Sequence, residues 1–103
     1  MKVPYINLAA QHIPIMSELL AEVESVLKTG QFILGKTVAD FEKKFAEICG
    51  ANYAIGVANG TDALVLALKV AGIKAGDEVI TAPNSFLASA SSIALAGAIP
   101  VFA

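Results

Sequence analysis

The sequence contains no arginine; its seven basic residues are all lysines. They are scattered, so no basic stripe exists to follow a nucleic acid backbone. Without arginine there is also no planar fork here to clamp the carboxylate of an amino-acid partner. The net charge of −2 gives no pull toward polyanions. Cysteine is nearly missing too. Cys49 stands alone, which excludes an internal disulfide and fits a reducing, cytoplasmic compartment. His12 is the only histidine, so no metal site is expected. The N-terminal MKVPYINLAAQ lacks the apolar run of a signal peptide.

Charge is absent from Val79 to Ala103. Pro83, Asn84, Pro100 and four serines interrupt that stretch, which argues against a membrane span. A buried strand–helix–strand is predicted instead.

Apolar residues are abundant, at 56 % of 103 residues without counting glycine. Soluble domains sit near roughly 45–50 % with glycine included. A chain this short leaves much of its surface wet, and this one has few polar residues to cover it. It is therefore predicted to belong to a larger core or an obligate oligomer, and to be marginally folded or self-associating when alone.

Pro14 suits the first turn of a helix. Met16, Leu19, Leu20, Val23 and Leu27 follow at helical spacing, and Thr29-Gly30 stops them. Gln31–Gly35 (QFILG) is a connection. Thr37 and Asp40 form a start similar to a capping box for a second helix with Phe41, Phe45 and Ile48 on one face, and Gly50 ends it. The pattern then changes. Tyr53–Ala58 is predicted as a strand, Thr61–Ala71 as a helix apolar nearly all round, and Glu78–Ala82 as a second strand. Ser85–Ala96 is predicted as an Ala/Ser-rich helix and Ile99–Phe102 as a third strand, with Pro100 marking an edge. Alternating strands and helices indicate α/β with parallel strands. Helices apolar all round are expected to be covered on more than one side.

Two loops follow strands and open helices. In VANGTDALVLAL, Gly60-Thr61 sits where a helix offers unpaired N–H groups and its positive end. Glycine admits an anion closely and threonine adds a hydroxyl donor. The segment is either a phosphate cradle or a capped helix start without a ligand; the local pattern alone favours the second. The fingerprints GxGxxG and GxxxxGK[ST] are both absent. In APNSF, Phe86 follows the second predicted strand. It is either a core residue or a ring placed over a flat cofactor, since ligands of open α/β sheets lie beyond the carboxyl ends of strands.

The stretches TGQFILGKTVADFEKKFAEICGANYAIGVANGTDALVLAL and GDEVITAPNSFLASASSIALAGAIPVF closely resemble the N-terminal part of the DegT/DnrJ/StrS-type sugar aminotransferases. That resemblance implies the aspartate-aminotransferase-like fold type I and pyridoxal 5'-phosphate as cofactor. It implies two leading helices in residues 1–50, then strand–helix–strand–helix–strand in 51–103 as the start of the cofactor-binding α/β large domain. Asn59, Gly60 and Thr61 match the segment that holds the cofactor phosphate. Phe86 matches the aromatic stacked on the pyridine ring. Gln31, Phe32 and Ile33 match a loop near the sugar and the partner subunit, which implies a homodimer. Asn59 and Asp62 are similar to the form common in enzymes that aminate 3-keto sugars.

The implied reaction carries an amino group from glutamate or glutamine to a nucleotide-linked keto sugar. The family's Schiff-base lysine and its acidic partner of the pyridine nitrogen match no position in these 103 residues. Lys2, Lys28, Lys36, Lys43, Lys44, Lys69 and Lys74 are not expected to substitute, since that lysine must reach the cofactor and needs a lowered pKa. The resemblance also sets the first predicted strand away from the next two, with later strands between them. Two other classes stay open: a non-catalytic truncated chain or oligomerisation module, and a sugar dehydratase of the same family.

Overall fold

The structure, a computed structural model, describes residues 3–103. Lys2 lies outside the described residues. The chain forms two compact units, one ending at Ala54 and the other spanning Ile55–Ala103.

The first unit is helical. Asn7 caps a short helix α1 (Leu8–His12) by accepting the N–H of Ala10 at 3.2 Å. A 3-10 turn over Ile13–Ile15 carries Pro14 in its first turn, as its fixed φ favours, and leads into α2 (Met16–Thr29). Glu18 in the first turn and Lys28 in the last complement the helix dipole, and Lys28 pairs with Glu24 at 2.7 Å. Gly30 turns left-handed at φ 66° and ends the helix, its N–H on the carbonyl of Val26 at 3.0 Å.

Helix α3 (Lys36–Cys49) starts one residue before Thr37, with Gly35 as its cap residue and no side-chain cap bond. The expected capping box of Thr37 and Asp40 is therefore not formed. Thr37 lies inside the first turn, and the Asp40 carboxylate pairs with Lys36 one turn back. That hydrogen bond holds the Asp40 carboxyl below its ordinary pKa. The rings of Phe41 and Phe45 stack obliquely, 5.6 Å apart. Gly50, left-handed at φ 64°, closes α3 with Gly50 N–H on Glu47 and Ala51 N–H on Ala46.

The second unit holds α4 (Gly60–Val70), β1 (Glu78–Thr81), α5 (Ala88–Leu95) and β2 (Ile99–Phe102). β1 and β2 pair in parallel, Glu78 opposite Ile99 and Thr81 opposite Phe102, with α5 as the crossover. The turn before β1 is closed by the Asp77 carboxylate, which accepts the N–H of Lys74 at 2.7 Å. Helix α5 packs on α4 and on both strands. The buried core of this unit is small: Ala88, Ser92, Ile93 and Ala98.

Three expectations change here. Tyr53–Ala58 joins no sheet among the described residues; the sheet has two strands. Its residue types suit a pleated surface, but a strand exists only where a neighbour supplies the ladder. Helix α4 is not covered on several sides, for none of its residues is buried. Leu64, Leu66 and Val70 stand in solvent. Finally, α5 begins at Ala88 rather than Ser85. Pro83, Asn84 and Ser85 form a turn, and the Ser85 hydroxyl pairs with that of Ser89 at 2.9 Å. Among the described residues no helix is long and apolar enough to cross a membrane.

Candidate cofactor-phosphate site

Asn59 has extended backbone and caps α4 in three ways. Its side-chain oxygen accepts the N–H of Asp62 at 2.9 Å. Its side-chain Nδ2 donates to the Asp62 carboxylate at 3.0 Å. Its carbonyl accepts the N–H of Ala63 at 3.1 Å. The first turn of a helix leaves its leading N–H groups without intrahelical partners. The Asn59 side chain engages that of Asp62, the Ala63 N–H makes the first regular helical bond, and the N–H groups of Gly60 and Thr61 stand ahead of these at the helix mouth.

Gly60 has a backbone conformation open to any residue, and a Cβ built on it would meet nothing within 4 Å. Neither conformation nor packing within this chain calls for glycine there. What glycine leaves is open space in front of the helix mouth, which a phosphate approaching the N–H groups would need. Thr61 is half-buried beside it. The group of donors fits a cofactor phosphate: backbone N–H, the threonine hydroxyl and the positive helix end, with open space beside Gly60.

Phe86 lies just beyond the carboxyl end of β1 and is 81 % exposed. This overturns the reading of Phe86 as a core residue within this chain. Its ring has no aromatic partner among the described residues. Asn59, Gly60, Thr61 and Phe86 all belong to the second unit.

Gln31, Phe32 and Ile33 belong to the first unit. The loop Gly30–Lys36 curves around a concavity of about 500 Å³. Phe32 and Ile33 are exposed at its rim. Phe32 also walls an apolar hollow of about 360 Å³ with Val23, Val26 and Leu27 of α2. Two features here escape sequence reasoning. Leu34 is left-handed at φ 49°, which no composition rule signals for a leucine. The reciprocal bond of Asn59 with Asp62 is the other, and the signal that could have found it is an Asn followed three residues later by an acid, a variant of the capping box.

Residues 14–103 match the sequence pattern of the DegT/DnrJ/EryC1/StrS aminotransferase family. The chain belongs to that family. Its fold is the α/β fold of the N-terminal part of a type I aminotransferase large domain. A relative in Aneurinibacillus thermoaerophilus, dTDP-3-amino-3,6-dideoxy-alpha-D-galactopyranose transaminase, is 44 % identical over 99 residues, covering 96 % of this chain and 27 % of its own length. The crystal structure of DesV from S. venezuelae superposes with a TM-score of 0.93 at 39 % identity, over 98 % of this chain and 27 % of that one. The structure of NtdA from Bacillus subtilis, with bound cofactor PMP, gives a TM-score of 0.91 at 31 % identity, over 98 % of this chain and 23 % of that one. The chain thus spans about a quarter of the length of the family members it matches.

Proposed function

We propose that this chain forms the cofactor-phosphate grip of a pyridoxal-phosphate-dependent aminotransferase acting on a nucleotide-linked keto sugar, with glutamate or glutamine as amino donor. The observation that carries the reading is the mouth of α4, where Gly60 leaves open space in front of its own and Thr61's N–H groups. The PMP bound in the related Bacillus structure supports the same cofactor, PMP being its amino form. The 3-amino sugar named for the Aneurinibacillus relative supports a keto group at the 3-position, in line with the Asn59/Asp62 pair.

When bound, pyridoxal phosphate supplies the electron sink for transamination. The contributions of this chain are binding and orientation. Gly60 and Thr61 hold the phosphate through N–H groups and the threonine hydroxyl. The exposed ring of Phe86 would lie against the cofactor ring and shield it from water. Gln31, Phe32 and Ile33 line the approach of the sugar. Attachment of the cofactor is assigned to none of Lys28, Lys36 and Lys69. Lys28 and Lys36 are exposed and paired with Glu24 and Asp40. Lys69 is nine residues along α4 from Gly60, about 14 Å by the rise of a helix.

The test is Thr61→Ala in the full-length protein. Loss of a hydroxyl bond to a charged phosphate lowers cofactor affinity roughly tenfold, measured from cofactor absorbance after dialysis. Unchanged affinity overturns the phosphate role.

A further inference from the structure

In the loop Gly30–Lys36 a leucine occupies the position that needs unusual backbone freedom, and glycine occupies the next one, which does not. Leu34 is left-handed at φ 49°, a region disfavoured for bulky residues. Gly35 has φ −79°, ordinary for any residue. Backbone conformation therefore gives no reason for glycine at 35.

Space gives the reason. A Cβ on Gly35 would stand 3.2 Å from the carbonyl oxygen of Gln31, 3.3 Å from the Gln31 Cβ and 3.6 Å from its Oε1. The nearest of these is backbone, which cannot swing aside as the tip of a side chain does. Gly35 itself is anchored, because its carbonyl accepts the N–H groups of Val38 and Ala39 at 3.1 and 3.3 Å. Gln31 is anchored from the other side. Its N–H reaches the Thr29 hydroxyl at 3.4 Å, and the next N–H, of Phe32, bonds the Gly30 carbonyl at 3.1 Å. Gln31 is thus seated between the end of α2 and the start of α3, and a Cβ at position 35 would push that contact apart by a few tenths of an ångström.

We propose that Gly35 is a positioning residue. Its bare Cα lets Gln31 close against the start of α3 and so fixes the conformation in which Gln31, Phe32 and Ile33 face the sugar. This rests on the reading of that loop as substrate-facing given above.

The experiment compares Gly35→Ala with Gly50→Ala in the full-length protein. Gly50 is left-handed at the far end of α3, and a Cβ there meets nothing within 4 Å, so Gly50→Ala strains the same helix without touching the loop. In Gly35→Ala the amide of Phe32 is expected to exchange with solvent roughly tenfold faster, the result of overpacking a tight contact. KM for the nucleotide sugar is expected to rise several-fold, with kcat and cofactor affinity near their original values. Gly50→Ala is expected to change neither the Phe32 exchange nor KM. Unchanged Phe32 exchange in Gly35→Ala overturns the positioning role, and so does the same effect from Gly50→Ala. Faster exchange with KM unchanged upholds the seat of Gln31 and overturns the reading of the loop as substrate-facing.

Discussion

Both polar atoms of the Asn59 side chain bond its own helix, each with capacity for one bond more. Oxygen and nitrogen of the amide both go to Asp62, so the residue orders the mouth of α4 and leaves the donors of Gly60 and Thr61 at the front. It also turns the Asp62 carboxylate back toward Asn59, which matters where a second anion would approach the same helix end. Asn59→Ala is expected to destabilise the first turn of α4 by about 1 kcal/mol. The readout is hydrogen exchange at the Asp62 amide in the cofactor-free protein, with Asn59→Ser as a variant that keeps an acceptor. Equal exchange in Asn59→Ala and the parent would mean that the cap carries no weight. The helix start was legible in the sequence, as a glycine and a hydroxyl residue opening a helix after an apolar run. The division of labour within NGTD was not, because Asn is equally suited to cap a helix and to touch a ligand. Leu34 was illegible for a different reason, since nothing in a leucine signals a left-handed backbone.

Among the elements, the helix ends were the most legible features. Gly30, Gly50 and Gly72 each adopt the left-handed conformation that ends a helix, and few other residues do so cheaply. Strands were less legible, because pairing is not a local property. β1 and β2 were predicted and form; Tyr53–Ala58 was predicted and does not join them. The two-stranded sheet has a lopsided pair of edges. Ile99 N–H bonds the Asp77 carbonyl at 2.8 Å, and Ala103 N–H bonds that of Thr81 at 3.2 Å. Alternate residues of a parallel strand turn their backbone groups to opposite sides. Pro100 and Phe102 therefore face outward on β2, and Glu78 and Ile80 face outward on β1. Pro100 has no N–H to give, so the outer edge of β2 offers the single donor of Phe102 while that of β1 offers both of its own. Parallel sheets occur with more strands and with both faces covered, and the next strand is expected beside β1. In the assembled protein the amides of Glu78 and Ile80 should be strongly protected from exchange and that of Phe102 weakly. Protection of Phe102 equal to that of Ile80 would put the added strand on the other edge.

The molecule as a whole exposes far more surface than its mass warrants. Its solvent-accessible area is 8578 Å² at 10.6 kDa. A compact protein of that mass exposes about 5500 Å², and two separate compact bodies of half the mass about 6600 Å² in all. The excess holds whichever way the two units are arranged. Much of it is apolar: Leu20, Val23 and Leu27 along α2, Leu66 and Val70 on α4, Phe86 and Leu87 before α5. Apolar surface on this scale marks contact with other protein. Were an excess of about 2000 Å² all apolar, at roughly 25 cal/mol per Å² it would correspond to about 50 kcal/mol, several times a whole domain's net stability. The 103-residue chain expressed alone is therefore expected to self-associate, or to unfold in a broad transition with little cooperativity. Sedimentation velocity across a range of concentrations, paired with urea unfolding followed by circular dichroism, decides the point. A chain that sediments as a monomer at all concentrations and unfolds in one sharp transition would show that its exposed faces need no cover.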